Sequence, residues 1–190
     1  MSTDLAIFGG EPIRKEPFPA WPRITEEMKR SLIHTFEEEE WGVGSKTITL
    51  FNEQFATMQD AKYCLSIHSG TSAIWICLKA AGIEAGDEVI LPSYTFIATA
   101  TAVVLANAVP VFADIDKKTA NLDPASVEKL ITKKTKAIIP VHTAGAPADM
   151  KAFLEISNKY NIPVIEDAAQ CMGGFYKGKK LGTWGDFGCC

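Results

Sequence analysis

The sequence predicts an α/β protein in which a mainly parallel sheet carries helices on both faces. From Tyr63 onward, short apolar runs alternate with segments of helical length, which is the pattern of successive βαβ units. The apolar runs are nearly continuous, as expected for strands that are buried on both faces. Turn and capping residues separate these runs, among them Gly82, Gly86-Asp87 and Asp123-Pro124.

Five strands follow from this pattern, and a helix follows each of the first four. The strands are predicted at residues 63–67, 88–91, 109–113, 137–141 and 164–166. The helices are predicted from the Ser-Gly-Thr-Ser turn through Ala81, at residues 95–106, from Asp123-Pro124 onward and at residues 148–160. Residues 182–190 predict a loop that leads into one more strand.

The first 60 residues have a different character. Residues 1–24 are rich in Gly and Pro, which excludes a regular helix or a central strand and predicts an extended arm. Thr25 is a suitable N-cap for a helix whose apolar residues recur at helical spacing: Met28, Leu32 and Phe36. A break at Trp41-Gly42-Val43-Gly44 precedes a second predicted helix, residues 46–59. We therefore expect an N-terminal arm with helices over residues 1–60 and an α/β domain over residues 61–190.

Composition and charge are typical of a soluble globular protein, with 47% hydrophobic and 22% charged residues in a chain of 190. The net charge of −4 gives no reason to expect nucleic acid or an acidic membrane as a partner. The acidic run at residues 37–40 is interpreted as a solvated helical face. No apolar run approaches the roughly 20 residues that span a bilayer, and residues 1–4 do not begin a secretory signal.

The cysteines and histidines do not predict a metal site. The five cysteines are irregularly spaced without a Cys-x-x-Cys pair, and the three histidines are far apart in the sequence. Reduced cysteines are typical of a cytoplasmic protein, which is the location we expect.

A carboxylate at the end of the fifth predicted strand is the first candidate for a site. Asp167 follows the apolar run Ile162–Ile165, and ligands of open α/β sheets bind outside the carboxyl ends of the strands. A buried carboxylate requires a partner, and a protonated ring nitrogen of a cofactor would be one. The alternative is a solvated acid that merely ends a strand.

Two further motifs follow strand ends. Ser69–Ala73 lies where a helix begins, and free N–H groups at a helix N-terminus favour an anion such as phosphate; simple N-capping is the alternative. Pro92–Phe96 places two aromatic residues at the same edge, where one could stack on a planar ring or pack into the helix–sheet core. His142, after the fourth strand, is interpreted as a structural hydrogen-bonding residue. The joint placement of these motifs predicts a single site.

The ordered motifs resemble those of the DegT/DnrJ/EryC1/StrS sugar aminotransferases, which are pyridoxal-phosphate enzymes of fold type I. The motifs that carry the resemblance are Ser69–Ala73, Gly86–Ile90, Pro92–Phe96, Asp114–Asp116, Lys136–His142, Pro147–Met150, Glu166–Gln170 and Tyr176–Lys180, together with Gly9-Gly10 and Trp21-Pro22. The resemblance spans essentially the whole chain. It implies an aspartate-aminotransferase-like large domain that is incomplete at its C-terminal end, with the small domain absent.

The resemblance also implies that five residues bind pyridoxal phosphate. Asp167 would pair with the pyridinium nitrogen and keep the ring protonated, so that the ring can accept electrons. Gln170 would hydrogen-bond the 3-oxygen of the ring, and Phe96 would stack on its face. Gly70 and Thr71 would hold the phosphate, which agrees with the interpretation of that turn as an anion site.

The implied activity is transfer of an amino group from glutamate or glutamine to a keto-sugar, often nucleotide-linked, or to a keto-cyclitol. The Schiff-base lysine of the family is expected after Cys190, so no catalytic residue is assigned here and the 190 residues alone should show negligible turnover. Lys177, Lys179 and Lys180 are assigned to an exposed hairpin. A homodimer is expected for the full-length protein.

Two other functions stay open at the level of sequence. Family relatives with histidine in place of the Schiff-base lysine are sugar 3-dehydratases, and the deciding residue is expected beyond Cys190. A non-catalytic homologue is the other alternative, although nothing resembles a DNA-reading helix. The loop Thr143–Pro147 departs from many relatives, which affects the substrate side of the site. Neither the sugar or cyclitol nor the amino donor is identified by the sequence.

Overall fold

The structure is a computed structural model that describes residues 5–39 and 41–190. The chain divides into two compact units, Met1–Thr47 and Ile48–Cys190. All strands of the described residues lie in the second unit, which includes residues 61–190, the range predicted as an α/β domain. Every helix in the described part of the chain is too short or too polar to traverse a bilayer.

Five parallel strands form the sheet of the second unit. In spatial order they are β2 (Val109–Ala113), β1 (Glu88–Pro92), β3 (Thr135–Ile138), β4 (Ile165–Asp167) and β7 (Phe187–Cys189). Isolated parallel bridges, Ile138 to Val164 and Val141 to Asp167, join the ladder β2–β1–β3 to the ladder β4–β7. The predicted strands at residues 88–91, 109–113 and 164–166 are confirmed to within one residue. The strand predicted at residues 137–141 begins earlier, and its regular part ends at Ile138.

Four helices pack on this sheet: α3 (Gly70–Ala80), α4 (Ile97–Leu105), α5 (Pro124–Leu130) and α6 (Met150–Tyr160). Side-chain N-caps begin three of these helices, α3, α5 and α6. Ser69, Asp123 and Asp149 each accept a hydrogen bond from a backbone N–H of the first turn. Gly82, just after α3, has φ +78°, which fits the predicted role of a glycine that ends a helix.

Side chains of successive strand residues point to opposite faces, and this alternation divides the core in two. Val89 and Leu91 pack with residues of α3 and α4, such as Leu78 and Val103, on the side that we call the α3–α4 face. Ile90 packs with residues of α5 and α6, such as Val127 and Phe153, on the α5–α6 face. The predicted fold class, a mainly parallel sheet with helices on both faces, is therefore confirmed.

The N-terminal part contains a short 3-10 helix, Ala6–Phe8, and helix α1, Glu26–Glu37. Thr25 caps α1 as predicted, because its Oγ1 accepts a hydrogen bond from the Met28 N–H at 3.2 Å. The acidic run leaves the helix after Glu37: Glu38 and Glu39 form a turn, and Glu40 lies outside the described residues. The prediction that all four acids share a helical face is therefore wrong for the described part of the run. Helix α2 covers Lys46–Met58, close to the predicted bounds.

The strand predicted at residues 63–67 is wrong. The backbone there forms no ladder with any described strand, and the Ser66 N–H instead donates to Asn52 Oδ1 of α2 at 2.9 Å. Tyr63 and Leu65 are exposed. Tyr63 and Ile67, an aromatic and a β-branched residue, favour an extended backbone, but an extended segment becomes a strand only where a neighbouring strand supplies hydrogen-bond partners.

The hairpin assigned to the three lysines is present. β5 (Phe175–Tyr176) pairs antiparallel with β6 (Lys179–Lys180). The two residues between them, Lys177 and Gly178, have φ values of +47° and +82°, as in a two-residue hairpin turn of the primed type. Lys177 and Lys179 are exposed and Lys180 is half-buried. These lysines therefore belong to a surface turn.

Candidate functional site

The carboxyl edge of the sheet collects the residues predicted for the site. β4 ends at Asp167, and the loop after β1 leads to Phe96 at the start of α4. α3 ends just before the turn that enters β1, so its first residues, Gly70 and Thr71, lie at the opposite, carboxyl edge. Ile165 packs on the α3–α4 face, and Asp167, two residues later, points to the same face.

Asp167 is a buried carboxylate held by uncharged groups. Its side chain accepts hydrogen bonds from Thr99 Oγ1 to Oδ2 at 2.9 Å and from the Ala169 N–H to Oδ1 at 3.3 Å. Only 7% of the residue is exposed, so the alternative of a solvated acid is wrong. Within residues 5–39 and 41–190, no Lys, Arg or His side chain forms an ion pair with it. A buried carboxylate with unused lone pairs and no counter-charge fits a cationic ligand.

The N-terminus of α3 combines a cap with unused donors. Ser69 Oγ accepts a hydrogen bond from the Ser72 N–H at 3.2 Å, so the predicted capping takes place. The N–H groups of Gly70 and Thr71 have no acceptor among the described residues. A Cβ atom placed on Gly70 would have no other atom within 4 Å, so the space beside this backbone is open. The turn can therefore cap its helix and still offer two N–H donors to an anion.

The aromatic residues after β1 are outside the core. Phe96 is 71% exposed and Tyr94 is 58% exposed, so the alternative of a core aromatic is wrong for both. Phe96 is the residue that precedes the first turn of α4 and makes no side-chain cap. Its ring is accessible at the same edge as Asp167 and could cover one face of a planar ligand.

Gln170 is oriented by the loop after β3. Its Oε1 accepts a hydrogen bond from the Ala144 N–H at 2.7 Å, and Ala144 has a left-handed backbone, φ +52°. Because the oxygen end of the amide is occupied, its Nε2 end is the one that can donate to a ligand. This orientation is compatible with the hydrogen bond expected from Gln170 to the 3-oxygen of the cofactor ring.

His142 and Glu166 form a buried pair on the other side of β4. His142 Nδ1 accepts a hydrogen bond from the Ala148 N–H at 3.1 Å, so Nδ1 carries no proton and Nε2 is the protonated nitrogen. Nε2 lies 3.0 Å from Glu166 Oε2 and donates to it. The histidine therefore makes structural hydrogen bonds at both ring nitrogens, which agrees with the interpretation from the sequence.

Glu166 has no exposed surface and accepts three further hydrogen bonds from backbone N–H groups. Gly182 donates to Oε2 at 2.9 Å, and Trp184 and Gly185 donate to Oε1 at 2.6 and 2.8 Å. Four donors satisfy the carboxylate without a cation. Glu166 therefore fixes the loop that enters β7, and its side chain lies on the face of β4 opposite to that of Asp167.

Sequence reasoning missed two of these residues, Thr99 and Glu166. Thr99 stands four residues after Thr95 in a mostly apolar helical segment, and such a polar pair on one helical side is the signal that could have identified it. Glu166 interrupts an apolar strand one residue before Asp167. A charge inside an apolar strand signals a buried network that satisfies it.

The cysteines near the site are not suited to nucleophilic chemistry. Burial, supported by Cys190 and the two carboxylates of β4, raises the pKa of Cys171 to about 12. A thiol–thiol hydrogen bond at 3.6 Å raises the pKa of Cys189, the donor, and lowers that of Cys77, the acceptor. Cys171 and Cys189 are therefore neutral thiols near pH 7.

A groove with a volume of about 430 Å³ lies at the opposite, amino edge of the sheet. Its lining comes from the end of α3, from residues 131–136 and from residues 160–163. None of the predicted site residues contributes to it. Volume alone therefore does not identify the predicted site.

Known proteins that are similar to this chain are aminotransferases. Residues 22–190 match the DegT/DnrJ/EryC1/StrS aminotransferase family. An L-glutamine:2-deoxy-scyllo-inosose aminotransferase from Streptomyces kanamyceticus is 40% identical over 193 residues, which are 98% of this chain and 45% of that protein. The enzyme of the same name from Micromonospora echinospora is 39% identical over 98% of this chain and 46% of its own length.

Solved structures show the same likeness. An aminotransferase from Psychrobacter cryohalolentis superposes with a TM-score of 0.86 at 38% identity, over 90% of this chain and 44% of that one. NtdA from Bacillus subtilis, solved with bound cofactor PMP, gives a TM-score of 0.77 at 36% identity, over 90% of this chain and 40% of that one. The chain thus spans less than half the length of these relatives. Because the family match covers most of its residues, the chain belongs to the DegT/DnrJ/EryC1/StrS aminotransferase family, as its motifs predicted.

Proposed function

We propose that the protein containing this chain is a pyridoxal-phosphate aminotransferase that moves the amino group of L-glutamine to a keto-cyclitol or a keto-sugar. The family supports amino transfer, and the names of two relatives support glutamine as donor and a deoxy-inosose as acceptor. Glutamate is the alternative donor. The observation that carries the proposal is Asp167, a buried carboxylate at the carboxyl edge of the sheet that has no counter-charge among the residues the structure describes.

The residues of the chain fit pyridoxal phosphate at both of its charged ends. Asp167 would hold a proton on the ring nitrogen, and the free N–H groups of Gly70 and Thr71 would bind the phosphate. Gln170 would donate its Nε2 proton to the 3-oxygen, and Phe96 would cover one ring face and exclude water from it. When bound, the cofactor supplies a protonated ring that accepts electrons from the reacting carbon.

None of these five residues is assigned a bond-making role. We also propose a cytoplasmic homodimer for the complete protein. Light scattering of the purified protein tests the dimer, and a monomeric mass would contradict it.

Removal of the charge of Asp167 tests the proposed function. The protein is expressed from the whole reading frame that encodes this chain, as wild type and as Asp167→Asn, and binding of pyridoxal phosphate is measured by equilibrium dialysis. The amide cannot balance a ring cation, so affinity should fall by about tenfold or more. Asp60→Asn, an exposed acid whose left-handed backbone suits asparagine, is the matched control and should bind like wild type. Wild-type protein that does not bind the cofactor would contradict the proposal.

Product analysis tests the reaction itself. The wild type is incubated with pyridoxal phosphate, with L-glutamine or L-glutamate, and with 2-deoxy-scyllo-inosose or a nucleotide-linked keto-sugar. Mass spectrometry then detects an amine in place of the ketone. Amination of either acceptor supports amino transfer and identifies the acceptor class. A dehydrated sugar without incorporated nitrogen would instead show a 3-dehydratase.

A further inference from the structure

The carboxylate of Asp167 depends on a buried hydroxyl of α4. Thr99 has no exposed surface, and its Oγ1 lies 2.9 Å from Asp167 Oδ2. An ionised carboxylate only accepts hydrogen bonds, so the single hydroxyl proton of Thr99 is donated to Asp167. Water has no access to Thr99 and cannot take its place as the donor.

Thr95 extends this arrangement by one hydrogen bond. Thr95 Oγ1 lies 2.8 Å from Thr99 Oγ1. Since the proton of Thr99 is already directed at Asp167, Thr95 must donate and Thr99 Oγ1 must accept. The hydrogen bonds therefore run in one direction, from Thr95 to Thr99 to Asp167. Each member polarises the next, which strengthens the final hydrogen bond to the carboxylate.

We propose that Thr99 is a positioning residue that holds Asp167 anionic and directs its free oxygen lone pairs toward the ring nitrogen of the cofactor, and that Thr95 orients Thr99. This inference rests on the proposed function and deepens it. A hydrogen bond to a charged group stabilises the charged form. A carboxylate that stays anionic in turn holds the proton on the ring nitrogen.

The Thr99→Val substitution removes the hydroxyl and keeps the shape of the side chain. In the complete protein, binding of pyridoxal phosphate should weaken by about tenfold, as expected for loss of a hydrogen bond to a charged group. Thr99→Ser keeps the donor and should restore binding. Thr95→Val should have a smaller effect, because Thr95 is half-exposed and water can replace its proton.

Thr101→Val is the matched control. Thr101 is on the same helix, but it is exposed and its hydroxyl donates to the Ile97 carbonyl oxygen at 3.0 Å. The same chemical change at this position should leave cofactor binding unchanged. Thermal unfolding of each cofactor-free variant shows whether the protein is still folded.

A spectroscopic readout separates positioning from a structural role. With pyridoxal phosphate labelled with nitrogen-15 in the ring, the NMR shift of that nitrogen reports whether it carries a proton. The ring of the Thr99→Val protein should lose its proton at a lower pH than the ring of the wild type, while Thr101→Val and Thr99→Ser should titrate like the wild type.

The outcomes distinguish this inference from the proposed function. One outcome would overturn the inference and leave the proposed function standing. In it, the wild type binds the cofactor, Asp167→Asn binds it weakly, and Thr99→Val binds it with the affinity and the ring titration of the wild type. Equal loss of binding and of folding in Thr99→Val and Thr99→Ser would also overturn it, because the hydroxyl would then be irrelevant. A wild type without cofactor binding overturns both.

Discussion

At the scale of single residues, Glu166 and Asp167 are adjacent in β4, but their hydrogen-bond partners come from different parts of the chain. Asp167 could be identified because a carboxylate at a strand end is visible within nine residues of sequence. Its donor, Thr99, is 68 residues away, and only the packing of α4 on the sheet brings the two together. The same holds for Glu166, which contacts backbone groups 16 to 19 residues later in the chain.

Glu166 should be important for stability. Glu166→Gln keeps the size of the side chain but turns an NH₂ group toward donors that need an oxygen, so the unfolding free energy should fall by about 3 kcal/mol. Glu155→Gln, an exposed acid 3.8 Å from Lys151, is the control and should change it by less than about 0.5 kcal/mol. Urea denaturation of the complete protein measures both. Equal midpoints for the two variants would contradict the assigned role.

Cys171 should make stability sensitive to alkaline pH. Its folded-state pKa of about 12 is above the value of about 8.5 for an unfolded thiol. The contribution of the neutral thiol is therefore complete below about pH 8.5 and is lost as the pH rises toward 12. Between about pH 9 and 11, the unfolding free energy of the wild type should decline more steeply than that of Cys171→Ala. Parallel declines in urea titrations across this range would refute the assignment.

At the scale of elements, local signals located most boundaries. The run Val109–Ala113 became β2 with the predicted bounds, and Asp123-Pro124 begins α5 because the aspartate caps it and the proline occupies its first turn. The segment at residues 63–67 has an equally strong local pattern and forms no strand. Strand formation depends on a partner that the local sequence does not specify, whereas a helix supplies its own hydrogen bonds.

The cap of α5 gives a prediction at this scale. Asp123 accepts a hydrogen bond from the Ala125 N–H at 3.0 Å. Asp123→Ala should therefore lower the unfolding free energy by about 1 kcal/mol, while Asp123→Asn, which keeps an oxygen acceptor, should cost little. Because α5 lies on the α5–α6 face, cofactor affinity should be the same in both variants. Denaturant unfolding and equilibrium dialysis check the two statements; an alanine variant as stable as wild type would argue against the cap.

At the scale of the whole α/β unit, the sheet separates two hydrophobic clusters. Ile83 belongs to the cluster on the α3–α4 face and Ile156 to the cluster on the α5–α6 face. Fold class and layering were predictable because nearly continuous apolar strands require cover on both faces. The order of the strands was not, since it depends on which crossover each helix takes.

Independence of the two clusters can be measured. Ile83→Val and Ile156→Val should each lower the unfolding free energy by about 1 kcal/mol, through loss of one buried methylene. The double variant should lose the sum to within about 0.5 kcal/mol, because the two residues belong to clusters that have no residue in common. Urea denaturation of the three variants provides the test. A double variant whose loss of unfolding free energy differs from the sum by more than this would show that packing on one face of the sheet affects packing on the other.

The two adjacent acids of β4 have different partners, so each position can change in evolution without the other. Glu166 bonds with His142 on one face of β4 and Asp167 bonds with Thr99 on the other, so substitutions around one acid need not disturb the other. The arrangement has one vulnerability, because side chains alternate with a period of two. Loss or gain of a single codon between Pro163 and Glu166 would move both acidic side chains to the opposite face of the sheet. The hydrogen bonds of Glu166 to the loop before β7 and the proposed cofactor contact of Asp167 would then be lost together.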